Sequence, residues 1–363
     1  MDDLRVLLVG VGNMGLSHGR AYDKIPGFKI VGLCSRGILD RNDLPATWSD
    51  IPRYAEFHEA LRATRPDVVS INTWPNTHAE FSLAALKAGA HVFVEKPLAE
   101  TVADAEKVVE TAKSCKRKLV IGYSMPHLPM WQRVTEVAKT LGKPLVMRMN
   151  LNQQSVGPSW TWHKNLLASL SPIVDCGVHY VDAMCQMTGA RPVRVNAMGA
   201  RLSDDIAPDQ YNYGQLQVFF DDGSVGWYEA AWGPSVSETA FMIKDIMGPK
   251  GSISIVPIVH RPNTPAGASW TLSSDIDTHG QMEEAVLHRS ELNEDLTLRY
   301  GDEIISVEDI VDHDEICVRI QKFFLDAIRN DSDLTAHMHA AIDSLKVVLA
   351  ADESIKKNKS IEL

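Results

Sequence analysis

Short apolar runs alternate with amphipathic segments over the first 125 residues of the chain. The apolar runs predict strands, because a strand covered on both faces is apolar along most of its length. They are residues 5–9, 28–34, 67–73, 91–94 and 118–123. Amphipathic segments at residues 78–87 and 101–116 predict helices. This alternation predicts an α/β fold, with a doubly wound parallel sheet that carries helices on its faces.

The pattern changes after residue 125, where strand-like segments follow one another without long helices between them. These predicted strands are residues 145–153, 193–202, 213–220, 224–232 and 239–247. Asp221-Asp222-Gly223 is typical of a hairpin turn, and one helix is predicted over residues 178–187, ending at Gly189. The second part is therefore predicted to be an α+β domain with an open, predominantly antiparallel sheet.

The helical period returns towards the end of the chain. One apolar stripe consists of Ile316, Ile320, Phe323, Phe324 and Ala327, and residues 335–356 predict another helix. With 363 residues the chain has room for two domains. We predict a first domain over residues 1–125 and a second over 126–363. The last helix, about 335–358, is a candidate for packing back on the first domain.

Charge and cysteine content narrow the function classes. The net charge of −11, from 36 basic and 47 acidic residues, disfavours nucleic acid or an acidic membrane surface as a partner. The five cysteines form no Cys-x-x-Cys pair, which is typical of free thiols in a reducing compartment. No apolar stretch approaches the roughly 18 residues that cross a bilayer, and the acidic N-terminus does not resemble a secretory signal. We therefore expect a soluble cytoplasmic protein.

A glycine-rich turn follows the first predicted strand. Residues Gly10-Val11-Gly12-Asn13-Met14-Gly15 match G-x-G-x-x-G at the point where a strand gives way to a helix. Gly10 permits the turn, Gly12 lets a pyrophosphate approach the backbone, and Gly15 lets helix and strand pack closely. The helix start at Asn13 and Met14 offers free amides to phosphate charge. The motif predicts dinucleotide binding, against a glycine-rich loop with no ligand.

The end of the second predicted strand bears on which dinucleotide is bound. NAD-binding proteins usually carry an acid there for the ribose hydroxyls, whereas this chain has Ser35 and Arg36. A hydroxyl and a guanidinium suit a 2′-phosphate, so NADP is favoured over NAD. The alternative is that Arg36 is a solvated charge or stacks on the adenine of NAD.

Two further motifs carry candidate chemistry. Glu95-Lys96-Pro97 follows the fourth predicted strand, at the sheet edge where doubly wound folds bind ligands, and Pro97 could follow a cis peptide. A surface lysine beside a turn is the alternative. Asp175-x-Gly177-x-His179 places a carboxylate and an imidazole on one helical face, with Gly177 leaving room for an approaching group.

The alternatives for the histidine motif are structural or metallic. Asp175 could be the N-cap of a helix that carries a structural histidine. Asp175, His179, Asp182 and His78 could also be metal ligands, but we expect no metal, since Asp182 serves equally well as a buried hydrogen-bond acceptor.

Aromatic residues precede this motif. Trp160 fits core packing, whereas Trp162 fits either the core or the apolar face of a sugar ring. His163 and Lys164 fit a solvated surface.

Together these motifs resemble the Gfo/Idh/MocA family of NAD(P)-dependent oxidoreductases. The resemblance covers nearly the whole chain and rests on the glycine motif, Pro75-Asn76-Thr77-His78, Ala88-Gly89-Ala90-His91-Val92, Glu95-Lys96-Pro97 and Asp175-Cys176-Gly177-Val178-His179. It implies a Rossmann domain followed by an open-sheet domain. It also implies hydride transfer at a carbinol or carbonyl carbon of a sugar, sugar derivative or cyclitol.

The resemblance also implies roles for individual residues. Lys96, Asp175 and His179 match the catalytic positions, with Tyr123 and Trp162 as further candidates for substrate contact. The cofactor segment matches Thr73, Pro75, Asn76, His78, Glu95, Lys96 and Pro97. In the implied mechanism His179 or Lys96 accepts the hydroxyl proton, Asp175 orients the imidazole, and Lys96 stabilises alkoxide charge.

The chain departs from the family pattern at two places. Many relatives have a glycine triplet shortly before the aspartate, where this chain has residues 169–174 as Ser-Leu-Ser-Pro-Ile-Val. Many have a basic residue after the fifth strand, where only His127 is available. Both regions border the substrate pocket in the family, so the substrate is not carried over from typical members.

Two other functions are alternatives to this dehydrogenase, and the strand pattern of the second domain also predicts an assembly. A dinucleotide-sensing regulator without turnover has no need of Lys96, Asp175 and His179 together, so an enzyme is favoured. Reduction of an imine or a tetrapyrrole is a third possibility. Apolar positions on both faces of the second sheet, such as Val218-Phe219-Phe220 and Trp227-Tyr228, predict a homodimer or homotetramer through that sheet.

Overall fold

The computed structural model describes residues 2–237, 243–256 and 282–363. The chain divides into two compact units. The first comprises Met1–Ser124 and His313–Ile342, and the second comprises Met125–Asp312 and Asp343–Leu363. The predicted boundary at residue 125 lies next to the observed one, but residues 313–342 were predicted to lie in the second domain.

In the described part of the first unit, six strands form a parallel sheet in the order β3-β2-β1-β4-β5-β6. The strands are β1 Leu4–Val9, β2 Phe28–Cys34, β3 Arg53–Tyr54, β4 Val68–Ile71, β5 His91–Val94 and β6 Leu119–Ile121. The helices are α1 Asn13–Lys24, α2 Phe57–Thr64, α3 His78–Lys87, α4 Val102–Ser114 and α8 His313–Arg329. The predicted doubly wound parallel sheet is confirmed, and its strand order reverses between β1 and β4, where such folds bind ligands.

Residues 313–342 join the first unit because α8 packs against α1. Asp314 accepts two hydrogen bonds from the guanidinium of Arg20, each 2.8 Å long. Ile316, Ile320 and Phe324 are buried, as their helical spacing predicted. The last helix, α9 Thr335–Lys357, begins in this unit and continues into the second.

In the described part of the second unit, nine strands form one sheet in the order β14-β13-β12-β11-β7-β10-β9-β8-β15. They are β7 Val146–Gln154, β8 Pro192–Ala200, β9 Tyr213–Phe220, β10 Val225–Gly233, β11 Lys244–Gly248, β12 Gly251–Ile255, β13 Glu284–Arg289, β14 Glu303–Ser306 and β15 Ile361–Glu362. Every pairing is antiparallel except that of β7 with β10. The predicted open, mostly antiparallel sheet is confirmed.

The predicted hairpin turn joins β9 to β10, with Gly223 at a φ of +82°. The strand predicted over residues 239–247 begins at Lys244 in the described part, and residues 239–242 lie outside it.

Three helices of the second unit were missed or misplaced by the sequence analysis. Helices α5 Pro129–Ala138 and α6 Gly157–Leu167 had not been predicted, and α7 runs over Pro172–Thr188. The helix α7 begins six residues before the predicted start because Ser171 caps it and Pro172 occupies its first turn. It ends at Gly189 in the left-handed conformation, as predicted. Among the described residues, no helix has the length and apolarity that a membrane crossing requires.

Candidate active site

The glycine loop after β1 has the geometry that the motif predicts. Gly10 has a φ of +81°, and a Cβ there would lie 2.5 Å from the carbonyl oxygen of Asn72. A Cβ on Gly15 would lie 1.8 Å from the carbonyl oxygen of Gly10. A Cβ on Gly12 would meet nothing within 4 Å. The loop is therefore closed at its two ends and open at Gly12, just before Asn13 and Met14 begin α1, which fits a bound pyrophosphate.

The end of β2 carries exposed positive charge near this loop. Arg36 is exposed and Ser35 is half-buried. The guanidinium of Arg41 donates a 2.8 Å hydrogen bond to the carbonyl oxygen of Val11 within the loop and pairs with Asp43. No acid occupies the strand end itself, whereas Arg41 beside the loop is accompanied by the carboxylate of Asp43.

The segment after β4 is fastened by a buried histidine. His78, which begins α3, places Nε2 2.9 Å from the carbonyl oxygen of Thr73 and Nδ1 2.7 Å from that of Pro97. Burial lowers the pKa of His78, so a neutral ring donates to one of the two carbonyls. Pro75 is buried and Asn76 is exposed. His78 thus joins the 73–78 segment to the turn after β5, and its side chain is used within the protein.

The Glu95-Lys96-Pro97 turn follows β5 and rests on a buried charge pair. The Lys96–Pro97 peptide is cis, as predicted. One carboxylate oxygen of Glu95 lies 2.8 Å from Nε2 of His18 on α1, and the other accepts a 3.2 Å hydrogen bond from the backbone amide of Lys96. Glu95 therefore holds the backbone of Lys96, while the lysine side chain is half-buried. The sequence analysis did not single out His18.

The charge on His18 is set by its neighbours on α8. Burial alone would lower the pKa of His18, but Cys317 and Glu95 together raise it to about 10. Both ring nitrogens of a charged His18 are donors. Its Nδ1 lies 3.0 Å from the amide nitrogen of Gln321, which is also a donor. The amide oxygen of Gln321 has no partner among the described residues. Turning that amide by 180° presents the oxygen to Nδ1 and satisfies both groups.

The thiol of Cys317 completes this cluster. Its sulfur lies 4.0 Å from Nε2 of His18 and 3.7 Å from Nε2 of His313. Burial opposes ionisation of the thiol, but the two histidines lower its pKa to about 7.

Tyr123, the remaining first-unit candidate, follows β6 and is 2% exposed. Its ring meets that of His337 edge-on, with centroids 6.4 Å apart. His337 is held in turn, because its Nε2 accepts a 2.9 Å hydrogen bond from the amide of Ile121.

Asp175 and His179 both lie on α7, one turn apart, as predicted. The N-cap is Ser171, whose hydroxyl accepts a 3.1 Å hydrogen bond from the amide of Val174, so Asp175 is not the cap. Asp175 lies in the first turn, where the helix dipole stabilises a carboxylate. Asp175 is buried, His179 is half-buried, and the thiol of Cys176 donates to the Asp175 carboxylate over 3.2 Å.

Gly177 serves packing within the unit. A Cβ there would lie 3.1 Å from a methyl carbon of Val348 and 3.2 Å from the ring of Tyr228. The group that approaches Gly177 is therefore a neighbouring side chain of the protein, where the sequence had suggested an open approach.

Asp182 is a buried hydrogen-bond acceptor. It accepts a 2.6 Å hydrogen bond from the amide of Gln186, and burial raises its pKa to about 7. Across residues 2–237, 243–256 and 282–363, no three His, Cys, Asp or Glu side chains are grouped so as to hold a metal ion.

The aromatic residues of α6 are placed differently from one another. Trp160 is buried and Trp162 is 49% exposed. His163, for which the sequence suggested a solvated position, is only 3% exposed, because it faces Trp232 of β10. Lys164 is half-buried and pairs with Asp205 over 2.8 Å.

A buried lysine near α7 was also missed. Lys244 begins β11, donates to the backbone oxygen of Asn150 and lies 4.7 Å above the ring of Tyr180. Burial lowers the pKa of Lys244 to about 7.

Two family models match this chain. Residues 4–123 match an oxidoreductase family described as having an NAD-binding Rossmann fold, and residues 133–254 match the GFO/IDH/MocA C-terminal domain. The chain belongs to the Gfo/Idh/MocA family. It is thus an oxidoreductase whose first unit binds a nicotinamide dinucleotide.

Curated relatives and solved structures agree with this membership. D-glucoside 3-dehydrogenase of Escherichia coli is 26% identical over 70% of this chain and 77% of its own. scyllo-Inositol 2-dehydrogenase (NAD(+)) of Bacillus subtilis is 26% identical over 76% of this chain and 81% of its own. Other curated relatives match over about half of their own length. The structure of myo-inositol 2-dehydrogenase from Lactobacillus plantarum covers 100% of both chains at a TM-score of 0.73 and 19% identity, which shows a shared fold.

Proposed function

We propose that this protein is an NAD(P)-dependent dehydrogenase or reductase acting on a sugar, sugar derivative or cyclitol. It transfers a hydride between the nicotinamide and a carbinol or carbonyl carbon. The observation that carries the proposal is the Asp175–His179 pair on the capped first turns of α7. The pair occurs in a family whose similar members are named as dehydrogenases of glucosides and inositols.

The protein's own residues supply proton transfer and charge stabilisation, and the bound dinucleotide supplies the hydride acceptor or donor. We propose that Gly10, Gly12, Gly15 and the start of α1 hold the pyrophosphate, since the loop is open at Gly12. His179 takes the proton of the substrate hydroxyl, and Asp175 stabilises the resulting imidazolium. Lys96 stabilises alkoxide charge. Lys96 as the proton acceptor is the alternative assignment.

Glu95 and His18 support this chemistry indirectly. Because Glu95 fixes the backbone amide of Lys96 and is itself fixed by His18, the pair positions the turn that carries the lysine. Tyr123 and Trp162 are proposed substrate contacts, and the exposed indole of Trp162 suits the apolar face of a ring.

We propose NADP as the preferred dinucleotide. Ser35 and the exposed Arg36 occupy the strand end where NAD-binding proteins carry an acid, and Arg41 adds a second guanidinium beside the loop. The Bacillus subtilis relative is named for NAD(+), so NAD is the competing assignment.

We also propose that the protein is cytoplasmic. All five cysteines are free thiols, which supports a reducing compartment such as the cytoplasm.

We propose that the protein forms a homodimer or homotetramer through the sheet of the second unit. This sheet has an outer face, defined here by Trp227, Phe219, Met198 and Arg148. It lies opposite the face on which Tyr228 stacks against Tyr180. Met198 is 60% exposed, so apolar surface is available there for a second copy.

The deciding experiment is a screen of polyols, cyclitols and aldoses with NAD and NADP, following absorbance of the reduced nicotinamide. We expect turnover of at least one polyhydroxylated compound and loss of that turnover in Lys96→Ala. Tight dinucleotide binding without turnover of any compound would instead favour the sensing function, and turnover of imines alone would favour the reductive one.

A further inference from the structure

A carboxylate on the last helix holds the start of α7, the helix that carries Asp175 and His179. The hydroxyl of Ser171, the N-cap of α7, donates a 2.8 Å hydrogen bond to Oδ1 of Asp352 on α9. The same hydroxyl accepts the 3.1 Å hydrogen bond from the amide of Val174. Asp352 is therefore joined through one side chain to the first turn of α7, in which Asp175 lies.

A second hydroxyl fixes this carboxylate. The phenol of Tyr211 donates to the same oxygen, Oδ1 of Asp352. Burial raises the pKa of Asp352, while the hydrogen bonds from Tyr211 and Ser171 and the charge of Lys356 act in the opposite direction. A carboxylate oxygen that accepts from two hydroxyls on different elements is held in one place, and it holds the Ser171 hydroxyl in turn.

The sheet leaves room for the ring of Tyr211. Gly199 of β8 and Gly214 of β9 lie directly opposite each other in an antiparallel pair. A Cβ on Gly199 would lie 3.0 Å from Cγ of Tyr211, and a Cβ on Gly214 would lie 2.8 Å from Cε2 of the same ring. A Cβ on Gly214 would also lie 2.6 Å from the side chain of Ile173, in the first turn of α7. The two glycines thus let the ring pack on the sheet backbone beside the start of the helix.

We propose that Asp352 and Tyr211 are positioning residues for the Asp175–His179 pair, acting through the hydroxyl of Ser171 at the start of α7. They fix the first turn of the helix, and with it the direction in which Asp175 meets the imidazole. This inference rests on the proposed function and extends it to the support of the pair. Residues 169–174 are also where the chain departs from the glycine triplet of many relatives, and a serine cap restricts the backbone there more than glycine does.

The test removes the contacts one at a time. Tyr211→Phe keeps the ring and removes one hydroxyl, Asp352→Asn keeps an acceptor oxygen and removes the charge, and Asp352→Ala leaves both hydroxyls without their acceptor. Glu353→Gln is the matched control, because Glu353 is the next residue of α9 and its side chain, which pairs with Lys357, is 45% exposed. For each protein, kcat, KM for the best polyol of the screen and dinucleotide affinity are measured well below the melting temperature.

We expect Asp352→Ala to lower kcat by about 10- to 100-fold, because a small displacement of a catalytic group has an effect of this size. KM and dinucleotide affinity should stay within about 3-fold of the wild type, since the substitution misplaces a proton acceptor and leaves the glycine loop intact. Asp352→Asn and Tyr211→Phe should each cost less than about 10-fold in kcat, because part of the hydrogen bonding remains. Glu353→Gln should match the wild type.

A second measurement needs no turnover. The imidazole of His179 is titrated by NMR in each protein, with its signal assigned from His179→Asn. The midpoint of this titration should move to lower pH in Asp352→Ala, because a displaced Asp175 carboxylate favours the charged ring less. It should not move in Glu353→Gln. If Asp352→Ala does not fold, Tyr211→Phe and Asp352→Asn are compared with the control in the same two measurements.

The outcomes separate this inference from the function on which it rests. If the substitutions lower the melting temperature but leave kcat and the His179 titration unchanged, Asp352 and Tyr211 serve packing alone and the inference is wrong. If the wild type turns over no polyol, the proposed function fails, and the titration still decides the inference. A shifted midpoint then supports the positioning of the pair, and an unchanged midpoint overturns it.

Discussion

His18 and Glu95 form a buried charge pair, with Nε2 of the ring 2.8 Å from Oε1 of the carboxylate. The ring is fully buried and the carboxylate side chain is 8% exposed. Since Glu95 also accepts from the amide of Lys96, the pair connects α1 to the turn of the proposed catalytic lysine. Such a pair costs desolvation when it forms, and removing one member leaves an uncompensated charge.

We predict that His18→Gln lowers the free energy of unfolding by about 3 kcal/mol, because it leaves the buried Glu95 carboxylate without the opposite charge of His18. Urea denaturation measures the change. The control is His58→Gln, whose ring pairs with Glu80 at 3.3 Å but is 55% exposed; it should change stability by less than about 0.5 kcal/mol. Equal losses in the two variants would contradict a special role for the buried pair.

The charge on His18, which Cys317 and Glu95 both favour, predicts a pH dependence. The pKa of His18 is raised from 6.5 to about 10, so its contribution to stability is complete below pH 6.5 and is lost as the pH rises through 10. The stability difference between wild type and His18→Gln should therefore shrink from pH 6 to pH 10. A difference that stays constant over this range would show that His18 is neutral in the folded protein.

The same substitution at two glycines of the nucleotide loop should affect two different properties, stability at Gly15 and dinucleotide binding at Gly12. Gly15→Ala places a Cβ 1.8 Å from a backbone oxygen and should cost more than about 3 kcal/mol of stability. Gly12→Ala meets nothing within 4 Å of the protein, so it should leave stability unchanged and weaken dinucleotide binding by at least about 10-fold. Denaturation and fluorescence titration with NADP measure the two effects. Unchanged dinucleotide affinity in Gly12→Ala would show that the phosphates lie elsewhere.

How far the sequence predicted this structure depended on how each element is buried. Strands β1, β2 and β5 were predicted within one residue of their ends, because strands buried on both faces are continuous apolar runs. The helix α6 was missed because it opens with Gly157 and Pro158, a pair typical of loops.

The candidate site was predicted unevenly for a similar reason. Local motifs predicted the glycine loop and the helical pair of Asp175 and His179, since each depends on neighbours in the chain. His18 was missed because its partners Glu95 and Gln321 lie 77 and 303 residues away. One local pattern could have indicated the cluster around His18. Cys317 and Gln321 are four residues apart on α8 and lie beside its buried apolar stripe.

Substitutions of the proposed catalytic residues should affect turnover more than dinucleotide binding. We predict that His179→Asn lowers kcat by about 10²- to 10⁴-fold, the usual effect of removing a proton acceptor, with dinucleotide affinity within about 3-fold of wild type. Asp175→Asn should lower kcat less, because it removes orientation and charge stabilisation but keeps the imidazole. Single-turnover kinetics measures both effects. A His179→Asn enzyme with full turnover would assign proton transfer to Lys96.

Arg36 tests the choice of dinucleotide. If its guanidinium binds a 2′-phosphate, Arg36→Ala should weaken NADP by about 10-fold or more and leave NAD within about 2-fold. Lys29→Ala is the control, since Lys29 is an exposed cation on the same strand β2. Equal affinity of the wild type for NAD and NADP would exclude this role for Arg36.

Trp227 tests the proposed assembly through the outer face of the second sheet. It is half-buried, it lies opposite Arg148 on β7 and Gln217 on β9, and its neighbour Tyr228 faces α7. A lysine in its place keeps the sheet pairing but replaces the indole of the proposed contact with a charged side chain. We therefore expect the wild type to sediment as a dimer or tetramer at micromolar concentration and Trp227→Lys to sediment as a monomer with an unchanged fold.

The matched control for this prediction is Leu39→Lys, which adds the same charge at a site in the first unit that is 63% exposed. It should keep the assembly of the wild type, because a charge on an exposed surface outside the contact disturbs nothing. A wild type that sediments only at monomer mass would contradict the assembly itself. A dimer that survives Trp227→Lys would place the contact on another surface.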